Sequence, residues 1–109
     1  MVSQAIQERY LRDPLPIRLG GLAADLARIA SFAANPLNHE AVGSLLEEGK
    51  YFAEWAAQDA PLDVQETLAQ IQMLLAWWQR GWTQGKADLQ MSAEAERWSH
   101  QLLAMAGLI

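Results

Sequence analysis

From Val64 to Trp82 the bulky apolar residues fall at alternating steps of four and three: Val64, Leu68, Ile71, Leu75, Trp78 and Trp82. A helix turns once in about 3.6 residues, so this spacing keeps all six side chains on one face for about five turns. A strand sends alternate residues to opposite faces and has no use for such a pattern. Three more stretches follow the same rule. Leu19, Leu22, Leu26, Ile29 and Ala33 form one stripe, and Val42, Leu45, Gly49, Phe52 and Ala56 form another, with Leu46 and Ala53 beside it. Met91, Ala95, Trp98, Leu102 and Met105 form the last. No alternating β-branched run competes with them, so the chain is expected to be all-α.

Punctuation sets the expected boundaries. Pro16 suits a first helical turn and Asn35-Pro36 suits a stop, which gives a helix over Pro16 to Ala34. The next runs from about Asn38 to Gln58, capped by Asn38 or Asn35. Asp63-Val64-Gln65-Glu66 reads as a capping box with Asp63 as the cap, and Gly85 closes that helix. The last spans about Asp88 to Ala106 and ends at Gly107. Helices of about 20 residues are roughly 30 Å long, and short connections oblige each to fold back on the one before. The spacing therefore predicts an up-down-up-down antiparallel four-helix bundle. A short N-terminal helix or arm within residues 1–14, over Ser3 to Arg12, offers Val2, Ile6 and Tyr10 to one end of it.

Bulk properties narrow the class. At 109 residues the chain is one domain, residues 1–109, of ordinary globular composition, with half its residues apolar. No apolar run approaches the roughly 18 residues of a membrane span, and the N-terminus lacks the apolar core of a signal peptide. With no cysteine there is no disulfide framework and no thiolate metal site. A cytoplasmic location is expected. The net charge of −5 is concentrated in residues 37–66, where Lys50 stands alone against Glu40, Glu47, Glu48, Glu54, Asp59, Asp63 and Glu66. A nucleic-acid binder needs a basic stripe, and this chain has none. The acidic stretch suits a solvated face or a basic protein partner.

The tryptophans pose the main functional question. Trp78 and Trp82 continue the core stripe, whereas Trp77 lies about 100° away and cannot share it. Trp77 aligns with Thr67, Gln70 and Leu74, a row that begins polar and ends apolar. Either the core widens there, or Leu74 and Trp77 form a surface patch for another chain, where tryptophan is a common anchor. Trp55 and Tyr51 raise the same choice, because their row also holds Glu47. The first long helix carries a row of small residues, Gly20, Ala23, Ala27, Ala30 and Ala34, which admits a second helix closely. That row serves either packing within the bundle or a dimer seam. The candidate interface is Gly20, Ala23, Ala27, Ala30, Tyr51, Trp55, Leu74 and Trp77.

Catalytic and metal chemistry find little material. A carboxylate-bridged di-metal bundle needs Glu-x-x-His on two helices. The two histidines, His39 and His100, have no glutamate three residues ahead, although Glu96 could reach His100 on the same face. Ser99 adjoins His100, but neighbours on a helix diverge by about 100°. Gly20-Gly21 follows no strand and precedes no Lys-Ser/Thr, so it is no phosphate loop. The Arg-x4–6-His pattern of small helical ribonuclease bundles is missing, since Arg97 precedes His100 by three. No catalytic residue, metal or cofactor is expected.

The stretch RLGGLAADLARIASFAANPLNHEAVGSLLEEGKYFAEW, Arg18 to Trp55, with LLAWWQRGW further on, resembles a family of small all-helical proteins from cyanobacteria. The run SLLEEGKYFAEW is the most distinctive piece. That family has no assigned activity and no catalytic motif, so the resemblance implies an all-α fold and a cyanobacterial cytosol and transfers no site residue. The expected function is non-enzymatic protein–protein interaction, as a homodimer. The alternative is a small-molecule carrier with Trp98, Met91, Met73 or Trp82 lining an apolar pocket in the bundle.

Overall fold

A computed structural model describes residues 3–86 and 90–109. Every segment with three-and-four spacing is helical, and no strand occurs among the described residues. The helices are α1 (Gln4–Arg12), α2 (Leu15–Phe32), α3 (His39–Ala57), α4 (Leu62–Thr83) and α5 (Met91–Met105), with one 3-10 turn at Pro36–Asn38. The expected start of the last helix at Asp88 lies outside the described residues, as does Val2 of the arm.

Helix ends follow local chemistry. Ser3 caps α1 by accepting from the Ile6 N–H at 3.3 Å. Asn35 accepts from the Leu37 N–H at 3.0 Å and so caps the 3-10 turn. Asn38 precedes α3 without a side-chain capping bond, and its amide instead donates to the Phe32 carbonyl at the end of α2. Gly85 and Gly107 take φ of 71° and 74°, the left-handed conformation that ends a helix. Beyond each, the Lys86 and Leu108 N–H groups reach back to the Gly81 and Leu103 carbonyls at 2.9 Å.

The capping box expected at Asp63 does not form. Proline supplies the boundary: Pro61 is the cap residue, with φ −61° and ψ 160°, and Asp63 already lies in the first helical turn. Asp63 there complements the positive end of the helix dipole. Gln65, one residue before the glutamate of the expected box, donates to the Ala57 carbonyl at 2.9 Å and ties α4 to the end of α3.

Packing is uneven. The pairs α2/α5, α3/α4 and α2/α3 pack closely, whereas α4 and α5 scarcely meet. Leu19, Leu22, Leu26, Ile29, Val42, Leu46, Leu68, Ile71, Leu75 and Leu102 are all sealed from solvent. Gly49 sits where three helices converge: a Cβ there would lie 3.0 Å from Leu75 of α4 and 3.6 Å from Leu22 of α2. The radius of gyration, 13.1 Å, is that of a well-packed chain of this length.

The N-terminal helix packs on the body through Tyr10 and the half-buried Ile6. Tyr10 is buried, stacks on Phe52 of α3 with ring centroids 4.0 Å apart, and donates its hydroxyl to the Arg18 carbonyl at 2.7 Å. Burial raises the Tyr10 pKa well above its ordinary value. Arg18 anchors the same corner. It donates through both Nη atoms to Asp59 at 2.8 and 2.7 Å and through Nε to the Asp13 carbonyl at 2.9 Å. The paired hydrogen bonds raise the Arg18 pKa and lower that of Asp59. Tyr10→Phe keeps the stack and deletes only the hydroxyl bond to the Arg18 carbonyl inside α2. It is expected to cost about 1 kcal/mol in urea denaturation.

Candidate interaction surface

The five tryptophans divide by environment. Trp78 and Trp55 are core, and Trp82 and Trp98 are half-buried. Trp82 donates from Nε1 to the His39 carbonyl at 2.8 Å and stacks on the His39 ring at 4.8 Å. Trp77 alone stands out, with 66% of its surface exposed. One turn away on the same face, Met73 is 74% exposed, and Leu62 at the start of α4 is 70% exposed.

These residues lie on the outer face of α4 because its inner face is already occupied. On one flank Gln72 donates to the Lys50 carbonyl at 3.3 Å, and Gln65 reaches Ala57, so that side abuts α3. Two open grooves border the outer face. One, of about 450 Å³, runs along α3 and is lined by Lys50, Tyr51, Glu54, Gln72, Met73 and Ala76. The other, of about 320 Å³, is lined by Trp77, Arg80, Gly81, Gln84 and Lys86. Leu74, on the flank of α4 away from α3, is half-buried.

Trp55 does not belong to an accessible interface. It is 6% exposed, because Tyr10 of α1 covers it together with Phe52 and Tyr51 at ring distances of 5.6 to 5.9 Å. Tyr51 is half-buried and lines the first groove.

Nor does the small-residue row of α2 present a free seam. Ala23 is buried and its carbonyl accepts from the Ser99 hydroxyl of α5 at 2.7 Å. A Cβ on Gly20 would lie 3.0 Å from Leu108. Ala27 and Ala30 line a shallow cleft with Glu96, Ser99, His100 and Leu103 of α5. The small residues let α5 of the same chain approach closely. The side chains expected to line a carrier's pocket are dispersed: Met91 is core, and Met73 and Trp82 border separate clefts.

One buried polar group escaped the sequence reading. Asp25 of α2 is 1% exposed, with Arg28 of its own helix 3.4 Å from Oδ1. Its Oδ2 has no N–H or hydroxyl donor turned on it. The carboxyl group of Glu48 on α3 lies within hydrogen-bonding reach, and a carboxyl pair is satisfied only when a proton sits between its members. Burial first, and Glu48 second, push the Asp25 pKa up to about 8. The signal was present in the sequence: Asp25 stands three residues after Leu22 and four before Ile29, at core spacing. Asp25 is sealed from solvent, whereas Glu48 is half-buried.

Among the described residues no three His, Cys, Asp or Glu side chains gather as metal ligands, and no helix is long and apolar enough to cross a membrane. No protein-family model, curated protein or solved structure matches the chain.

Proposed function

We propose that this is a non-enzymatic protein of the cytoplasm that works by associating with other protein chains, first with a second copy of itself, through the outer face of α4. The framework is an antiparallel up-down-up-down four-helix bundle of α2 to α5, with α1 as an N-terminal arm. Short connections and the close α2/α3, α3/α4 and α2/α5 packing support that arrangement. The carrying observation is the exposure of Trp77 and Met73 one turn apart on a helix whose apolar needs are already met inside. Large apolar side chains standing free in water gain about 25 cal/mol per Å² when covered, and tryptophan is the commonest hot-spot residue at protein interfaces. The acidic face of α3 is left for solvent or for a basic protein partner.

Trp77→Ala tests this directly. Sedimentation equilibrium is expected to show the wild type self-associating and the variant shifted toward monomer, with unchanged far-UV circular dichroism. A wild type that stays monomeric throughout refutes the reading.

A further inference from the structure

The outer face of α4 is a second heptad seam, and its residues are self-complementary. Leu62, Glu66, Ala69, Met73, Ala76 and Arg80 follow one another at steps of four and three, on the side opposite the core run, and all are exposed. This spacing lets two helices lie side by side over many turns. Two copies of the seam can run parallel or antiparallel, and the residues discriminate between the two. Side by side and parallel, Glu66 would face Glu66 and Arg80 would face Arg80, at two like-charge contacts. Antiparallel about a two-fold axis at Met73, each residue meets the one equally far on the other side of that axis. Glu66 then meets Arg80 of the second copy twice over, by symmetry. Trp77, the largest side chain present, falls on Ala69 and Gln70 of the second copy, where the seam is lowest. The two Met73 side chains meet on the axis, and methionine adapts readily to its own image. Among the described residues neither Glu66 nor Arg80 has an ion-pair partner within the chain, so both are available.

We infer that the chain dimerises by antiparallel pairing of α4 with α4 of a second copy, on a two-fold axis at Met73, with Glu66 and Arg80 fixing the direction. This rests on the self-association proposed above and supplies its geometry. One helix seam with open grooves beside it lies at the small end of protein interfaces, so micromolar rather than nanomolar affinity is expected.

The absence of cysteine makes the test clean. Met73→Cys places a thiol beside its own image, and mild oxidation is expected to give a covalent dimer in high yield. Leu62→Cys places its two thiols about 33 Å apart in the antiparallel pair, at a rise of about 1.5 Å per residue, and is expected to give none. A parallel pair would join both variants alike. The charges provide a second arm. Glu66→Arg and Arg80→Glu are each expected to weaken dimerisation about tenfold at low salt, since each turns two attractive contacts repulsive, and the double variant to restore it. Dimers that crosslink at residue 62, or that fail to crosslink at 73, overturn the register while leaving self-association intact. Charge reversals without rescue do the same. A wild-type chain that sediments as a monomer at about 300 µM removes both the register and the reading beneath it.

Discussion

Replacing Asp25 with asparagine is expected to abolish a loss of stability that the wild-type protein shows between about pH 4 and pH 8. In the folded chain Asp25 keeps its proton up to about pH 8, because burial and the adjacent Glu48 both penalise its ionised form. In the unfolded chain an aspartate gives up that proton near pH 4. Between these values the folded state binds the extra proton, so stability falls as pH rises. The contribution is complete below about pH 4 and gone once pH passes the folded-state value. The groups that face Asp25 are Glu48 from α3, Arg28 from its own helix and Tyr10 from α1. Arg28 works in the opposite direction, but at 3.4 Å and more than half exposed it does not offset the burial.

Asparagine needs no proton, since its amide can donate to Glu48 at any pH. Urea denaturation at pH 4, 7 and 9 is the measurement. The two proteins should be nearly equal at pH 4, and the variant should be more stable by at least about 2 kcal/mol at pH 9, a conservative share of 1.36 kcal/mol per pH unit. Parallel pH profiles would mean that Asp25 is ionised when folded, and the shared proton would be discarded.

What the sequence reveals and what it hides follow from the range of each interaction. The helices were legible because the signal is local: Val64 to Trp82 repeats often enough to define a face without its neighbours. Gly85 and Gly107 were legible as stops for the same reason, since a left-handed residue is a local need. The start of α4 was misread because two local devices competed, and Pro61 outranks an aspartate cap two residues later. Trp55 stayed open between core and interface because its cover, Tyr10, lies 45 positions earlier and on another helix. The small residues of α2 were ambiguous because periodicity shows that a helix comes close but not whose helix it is. Ser99, whose hydroxyl settles it, reads in the sequence only as an unremarkable serine. Asp25 at core spacing was visible, but its partner Glu48 belongs to another helix, and no spacing rule connects them.

Trp77 and Trp78 carry the sharpest contrast on the molecule, because they share a residue type and a helix but not a surroundings. Trp78→Ala is expected to cost about 3–5 kcal/mol, the usual loss when a large aromatic leaves a cavity in a packed core. Trp78 is 3% exposed and in the main core cluster with Leu75, Ile71 and Leu68. Against a total stability of about 5–15 kcal/mol for a single domain, that is a large share. The midpoint of thermal unfolding should fall by roughly 15 °C or more. Trp77→Ala removes a ring that water already reaches and should stay within about 0.5 kcal/mol of wild type in the monomer. Thermal melts of both variants, run dilute enough to hold the wild type monomeric, decide the matter. If Trp77→Ala were to lose as much as Trp78→Ala under those conditions, its ring would be covered by the chain itself. The outer face of α4 would then be part of the core, and the second seam would have no partner to find.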